Sequence, residues 1–428
     1  MRIPRLPRTA AAVLTLTAAA LGGGVSSAAA APYVPGEVIV KYKDDAVTGG
    51  AVGPAPASTR MAVGRGSSVK AALSRLRNDP RVEYAVPNYK ARISGLTPDD
   101  PGFRQQWNLQ AGFGINMPDA WDLAKARKAP GGRGVTVAVL DTGVAYQRFG
   151  RFRRVPDLNR FVRGYDYVDG DSHPNDENGH GTHVSGTIAQ STGNRTGAAG
   201  IAYQAKIMPV RVLDSEGAGD TFAIARGIRY AVRHKAKIIN MSLEFDASVR
   251  ASQIPDLVSA MRYARQKGVL VVAAAGNQAD SQVAYPARAK DALAVSATTI
   301  RGCLAEYSNV GADVDLTAPG GGRDAVLSDN PYDASICKPE LAGQFIYQQT
   351  FTSSVRSFGL PRGYEGTSMA APHVSGVAAL VIASKRLGKR PSPALLTRHL
   401  EATSRDLGTP GFDKRYGYGL LDAASALR

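Results

Sequence analysis

From Asp119 onward the chain alternates short apolar runs with segments of helical spacing, and few architectures accept that pattern. Gly134-Val-Thr-Val-Ala-Val-Leu-Asp141 is a near-continuous apolar run that ends in a carboxylate. Residues 180–190 then read as a short helix and 206–212 as a strand. Residues 221–234 read as a helix with Phe222, Ala225, Ile228 and Val232 inward. Strands follow at 237–243, 269–274 and 292–298, with a helix at 257–267 that Gly268 stops. Strands apolar on both faces and separated by helices predict a mainly parallel sheet covered on both sides. Ligands of such sheets gather beyond the strand C-termini, where Asp141 and Asn277 lie.

The chain before this region reads differently. Arg2, Arg5 and Arg8 precede an apolar stretch at 10–21 and the small residues Ala28-Ala29-Ala30. That is the pattern of a signal peptide over residues 1–30, with an apolar core too short to span a bilayer. No later segment reads as the roughly 18-residue apolar run that a membrane span requires. Residues 36–43 alternate as a strand and 48–58 read as a loop. Residues 68–76 place Val69, Leu73 and Leu76 on one helical face, 82–86 read as a strand and 89–98 as a linker. Residues 31–96 are therefore a small α+β unit with its linker, ahead of a large domain at 97–428. The two cysteines, Cys303 and Cys337, are compatible with one disulfide in an exported protein, although spacing alone does not bring them together.

Lysine and arginine exceed aspartate and glutamate by 52 to 36, a net charge of +16. The densest basic segment holds Arg148, Arg151, Arg153, Arg154, Arg160 and Arg163, interleaved with Phe149, Phe152 and Phe161. It carries no nucleic-acid reader motif, so it reads as a solvated basic surface and no specific nucleic acid is expected as a partner.

The chemistry concentrates near the C-terminal end, at Gly366-Thr-Ser-Met-Ala-Ala-Pro-His-Val-Ser-Gly376. Ser368 opens an apolar helical run, and a helix N-terminus offers free N–H groups and a dipole that favours developing negative charge. Alone, such a serine is equally an N-cap. Two other stretches supply partners. Asp141-Thr142-Gly143 closes a strand, and His180-Gly181-Thr182-His183 opens a helix. In the chain order Asp, His, Ser, the hydroxyl of Ser368 would attack a carbonyl, His180 would take its proton and Asp141 would hold the imidazole. Asn277, after Ala273-Ala274-Ala275-Gly276, suits an oxyanion donor. An Asp-Thr-Gly also occurs in aspartic peptidases, but the second copy they need is missing here. His183 and His373 lie on packed helices and read as structural.

These four stretches, in this order, resemble the signatures of the subtilisin-like serine peptidases, and the likeness runs from about Asp100 to Tyr416-Gly-Tyr-Gly-Leu-Leu-Asp422. The resemblance implies an α/β, three-layer fold with a mainly parallel central sheet, and a small α+β N-terminal propeptide domain. It implies a secreted serine endopeptidase that acts on polypeptides through an acyl-enzyme. Such an enzyme is made as a self-processing zymogen, with its own propeptide as a partner, and works as a monomer. By the same resemblance the substrate groove is walled by Ser242, Leu243 and Glu244 on one side, and by Leu213, Gly217 and Gly219 on the other. The primary pocket would be lined by Ala274, Ala275, Gly276 and Ala284. The chain departs from the family at Glu244, where glycine is common. It departs again in the length of residues 321–365, which either rim the groove or form a surface excursion. Two structural calcium ions are implied. One would be held by Asp100, Asp157, Asn194 and the carbonyls of Ser191, Thr196 and Ala198. The other, similar to a loop of the thermitase branch, would use Asp166, Asp171, the His173 carbonyl and Asn175.

Overall fold

The run that ends at Asp141 is strand β4 (Thr136–Asp141), an interior member of a seven-stranded sheet. The structure, a computed structural model, describes residues 33–43, 59–63, 68–89, 96–327 and 336–428. They form two units that divide near Ile93, and each is treated by itself.

In the larger unit β4 is joined by β5 (Tyr165–Asp166), β6 (Lys206–Arg211), β7 (Ile238–Met241), β8 (Leu270–Ala274), β9 (Leu293–Thr298) and β10 (Leu316–Pro319). The order is β10-β9-β8-β7-β4-β6-β5 and every pairing is parallel. Alternation along each strand feeds two cores. Val137, Val139, Leu270 and Val272 enter one core, while Ala138, Leu140, Val271 and Ala273 enter the other. Each fully buried valine or leucine contributes roughly 1.5–3 kcal/mol.

Helices α2 (Met117–Ala126), α3 (His180–Ala189), α6 (Thr367–Ser384) and α8 (Ala423–Leu427) cover the first core. Helices α4 (Thr221–Arg233) and α5 (Pro255–Gln266) cover the second. Helix α7 (Pro393–Thr403) adds Leu396 and Leu400 to the first core. On α4 the buried stripe is Ala223, Ile224, Gly227, Ile228 and Ala231. Ala225 and Ile228 are buried as expected, but Phe222 is 63% exposed. The reason is phase. Asp220 caps the helix by accepting from the Ala223 N–H at 2.7 Å, which sets the stripe one residue past Phe222. Phe222 instead faces the Arg226 guanidinium at 5.2 Å.

Helix α6 is mostly enclosed. By length and composition it could cross a membrane, contrary to the sequence expectation, yet 78% of it is buried inside the domain. Pro372 lies within it and has no N–H for the carbonyl of Ser368, four residues earlier. That carbonyl accepts from Ser242 Oγ at 2.7 Å instead.

The smaller unit is an antiparallel sheet of β2 (Thr59–Ala62), β1 (Tyr33–Tyr42) and β3 (Val82–Tyr89), in that order, with α1 (Val69–Arg77) against it. Ser68 caps α1, accepting from Ala71 N–H at 3.1 Å. Val38, Val40, Val69, Leu73, Val82 and Ala85 form its core. Strand β2, fully exposed, has no alternation to betray it in the sequence. Strand β3 runs on through Tyr89, into residues that read as linker. The signal peptide, the 48–58 loop and most of the linker lie outside the described residues.

Cys303 and Cys337 are bonded to each other across 34 residues of chain. Closing such a loop stabilises by roughly 4 kcal/mol in the chain-entropy account. Replacing both cysteines by serine should therefore lower the unfolding free energy by about 2–4 kcal/mol. Urea titrations of the oxidised wild type and the double variant measure this; equal midpoints would contradict it.

Candidate active site

Four elements converge beyond the C-terminal edge of the sheet. Strand β4 delivers Asp141, whose side chain is fully buried. Helix α3 begins at His180, and His180 Nδ1 lies 2.7 Å from Asp141 Oδ1. Asp141 can only accept there, so Nδ1 carries the hydrogen and Nε2 is left as a base. Asp141 Oδ1 also accepts from the Thr142 N–H at 2.8 Å, while Oδ2 is buried without a partner. Its negative charge is thus only partly satisfied, which favours a proton on the imidazole. Burial depresses the His180 pKa, but the Asp141 carboxylate overcomes it, with Asp176 adding, and the net direction is upward.

The start of α3 is held from two sides. Asp176 accepts from the N–H groups of Asn178, Gly179 and Thr182 and from the hydroxyls of Thr142 and Thr182. Thr350 donates to the Gly179 carbonyl at 2.5 Å. Thr350 belongs to a short hairpin of β11 (Thr350–Phe351) and β12 (Phe358–Gly359) within the long 321–365 segment. This part of the segment is built into the domain, since Ile346, Gln348 and Thr350 are buried. His183 Nε2–H donates to the Ile346 carbonyl at 3.0 Å, and its ring stacks on Tyr364. Burial pushes the His183 pKa down to about 3 and that of His373 to about 4, so both are neutral. His373 donates to the Met369 carbonyl and accepts from Asn108, a structural pairing.

Ser368 stands at the second position of α6, and its Oγ donates to the Ser242 carbonyl at 3.2 Å rather than to His180. Asn277 Oδ1 accepts from Thr367 N–H at 2.8 Å and Thr367 Oγ at 3.0 Å. With the oxygen so engaged, the Asn277 NH2 is left for other acceptors. Ser368, His180 and Asn277 line one cleft of about 470 Å³.

Of the predicted groove residues, Leu213, Gly217, Gly219, Ser242, Leu243 and Glu244 line this cleft. Ala274, Ala275, Gly276 and Ala284 do not; they are buried away from its surface. The Glu244 side chain explains part of this, because its Oε2 accepts from the Asn277 N–H at 2.6 Å and lies over Gly276. A Cβ on Gly276 would approach that oxygen to 2.8 Å, and its φ of +117° also favours glycine. Sequence reading missed Asp176 and Thr350. Asp176 carried a signal, an acidic residue just ahead of a helix start, which the acidic run around it obscured.

Of the first predicted ion cluster, the side chains of Asp157 and Asn194 and the Asp100 carboxylate come together. Asp100 and Asp157 are 3% and 1% exposed. Asp100 accepts from the N–H groups of Gly193 and Asn194, and Asp157 from the side chains of Asn194 and Gln190. Burial pushes the Asp157 carboxyl up to about 6, and the Asp100 charge adds to this. Among the described residues neither is paired with a basic side chain; Arg195 pairs with Asp99. Gln190 Oε1, beside them, is buried without a partner. Two unpaired buried carboxylates and spare oxygens suit a hard divalent cation. The second cluster fits less well. Arg211, 5% exposed, already pairs with Asp166 at 2.9 Å and Asp169 at 2.6 Å. Asp171 is exposed and caps the His173 N–H, and the His173 carbonyl accepts from Asn175 N–H. Only the buried, unpartnered Asn175 Oδ1 calls for a further cation.

Comparison with known proteins decides the lineage. Residues 132–419 match the subtilase family, and residues 19–88 match the fervidolysin N-terminal prodomain. The chain belongs to the subtilase family. It is 36% identical to a thermophilic serine proteinase of Bacillus sp. (strain AK1), over 83% of this chain and 79% of that one. It is 39% identical to thermitase of Thermoactinomyces vulgaris, over 68% and 87%. A protease structure from Pseudoalteromonas arctica PAMC 21717 aligns with a TM-score of 0.62 at 34% identity, covering 78% of this chain and 99% of that one. This subtilase is a subtilisin-like serine endopeptidase of the thermitase branch, and its N-terminal unit is a prodomain, as in a proteolytic zymogen.

A base must be neutral to accept a proton, so with His180 as the base activity should rise with pH through its titration. Because that pKa is raised, the acid limb of kcat/KM should lie above the ordinary histidine value. Asp141→Asn should move the limb down and lower kcat by about 10⁴. A pH–rate profile of both forms tests this, and a limb that ignores the substitution would count against the pairing.

Proposed function

We propose that this subtilase is exported by its first 30 residues and matures by removing its own prodomain. Its mature form then cleaves polypeptides through Asp141, His180, Ser368 and Asn277. The observation that carries this reading is the Asp141–His180 bond of 2.7 Å in a cleft also lined by Ser368 and Asn277. His180 Nε2 takes the Ser368 proton as Oγ bonds to the substrate carbonyl carbon. The oxyanion is received by the Asn277 NH2 and the Ser368 N–H at the start of α6. Collapse breaks the C–N bond, the His180 proton passes to the leaving amine, and the acyl group stays on Ser368 until water repeats the steps. Cleavage of the prodomain falls between Asn88 and Thr97, and the mature peptidase comprises the domain beginning near residue 97. Substrate polypeptides lie along the walls of Leu213, Gly217, Gly219 and Ser242 to Glu244, and the enzyme acts as a monomer outside the cell.

A Ca²⁺ ion is proposed at the first cluster, held by Asp100, Asp157, Asn194 and the carbonyls of Ser191, Thr196 and Ala198. It would tie the start of the domain to two loops and has no part in the chemistry. At the second cluster, where Arg211 supplies a cation, a weaker Ca²⁺ site on Asp171, the His173 carbonyl and Asn175 is proposed, with Asp166 shared.

A fluorophosphonate should label the wild type at Ser368, and Ser368→Ala should accumulate as unprocessed precursor. Normal maturation of that variant would refute self-cleavage, and absence of labelling on the mature wild type would refute the nucleophile. Excess chelator should lower Tm by several degrees, and Asp100→Ala should lose most of that response. An unchanged melting curve would count against both ions.

A further inference from the structure

The sequence of this subtilase is strongly basic, with a net charge of +16. Its cleft is not. Among the described residues that line it are Glu216 and Glu244 and no lysine or arginine. Glu244 is the better placed of the two. Its Oε2 accepts from the backbone N–H of Asn277 at 2.6 Å. Partial burial raises its pKa, and hydrogen bonding from Asn277 opposes the rise. No basic side chain is paired with Glu244 among the described residues.

The reacting atoms fix what this carboxylate meets. The attacked carbon lies against Ser368 Oγ and its oxygen against the Asn277 NH2. The residue that owns this carbonyl projects its side chain from the next atom along. Glu244 lines the same cleft and accepts from the Asn277 N–H, so its carboxylate stands beside the oxyanion donor. Ala274, Ala275 and Ala284 do not reach the cleft surface, so the small apolar walls offer no surface there to compete with the carboxylate.

We propose that Glu244 selects a basic side chain, arginine or lysine, on the residue whose carbonyl Ser368 attacks. This rests on the catalytic reading above. An arriving guanidinium or ammonium gives the carboxylate a charged partner. A neutral side chain leaves a half-buried carboxylate without a cation, and an acidic one adds like charge beside it.

The test uses the full chain after maturation and matched peptides that differ only in the residue before the scissile bond, with arginine, lysine, leucine or glutamate. The wild type should prefer arginine to leucine in kcat/KM by about tenfold or more, with glutamate poorest. Glu244→Gln keeps an oxygen for the Asn277 N–H and removes the charge. Its arginine-to-leucine ratio should fall about tenfold. If Glu244 merely positions Asn277, the substitution lowers all four values by one factor and leaves the ratio unchanged, which overturns the proposal. So does a wild type that labels with fluorophosphonate yet shows no basic preference. A wild type that neither labels nor cleaves any peptide overturns the catalytic reading and this one together.

Discussion

The site depends on a carboxylate with no water around it. Asp141 is fully buried at the end of β4, and one of its oxygens has no partner among the described residues. Leaving a charge so poorly solvated costs several kcal/mol. The cost is tolerable because the surrounding strands are apolar on both faces and bury a large core. It is useful because His180 is, among the described residues, the ionisable group bonded to it. The same deficit that would destabilise a simple fold raises the proton affinity of the imidazole. The elements around Asp141 therefore serve geometry. Asp176 and Thr350 fix the start of α3 so that the imidazole meets Asp141 at 2.7 Å rather than finding another partner.

A second constraint lies at the start of α6. Pro372 removes one helical N–H, which frees the Ser368 carbonyl for Ser242 Oγ. Ser242 Oγ accepts in turn from Asn240, whose oxygen accepts from Ser375 farther along α6. Thr367 binds Asn277 Oδ1 by both its N–H and its hydroxyl. One short stretch thus ties the serine, the asparagine and the sheet edge together. A proline that would elsewhere break a helix is accommodated here because its orphaned acceptor has a designated donor.

Much of this was legible in the sequence because the signals were periodic or dense. The apolar runs of β4, β7, β8 and β9 and the spacing of α3, α4 and α5 carried the architecture. The residues Asp141, His180, Asn277 and Ser368 stood at the ends of such runs, where a parallel sheet gathers ligands. What was not legible depended on side chains meeting across long separations. Thr350 sits 171 positions from the Gly179 carbonyl it binds, and no local pattern announces it. Arg211 looked like the end of a strand, yet its guanidinium enters the acidic loop at Asp166 and Asp169. The alanines near Asn277 read as the lining of the primary pocket, because the reach of the Glu244 side chain over Gly276 depends on the tertiary fold. Phe222 failed for a subtler reason, a helical phase error of one residue set by the Asp220 cap.

The contrast between a basic chain and an acidic cleft raises the question of which charge a substrate feels. Net charge acts through solvent, where screening confines it to about 8 Å at physiological salt. A cationic peptide is therefore only weakly opposed by the +16 of the sequence until it is close. Contact inside the cleft is different. Two opposite charges 4 Å apart interact by about 4 kcal/mol at an effective dielectric near 20, before the cost of desolvating them. Even a third of that, about 1.4 kcal/mol, is a tenfold preference. The local carboxylate thus outweighs the distant surface, and lowering the salt should sharpen repulsion at long range without altering which side chain the cleft accepts. Surface charge governs how often substrates arrive, and Glu244 governs which of them fit.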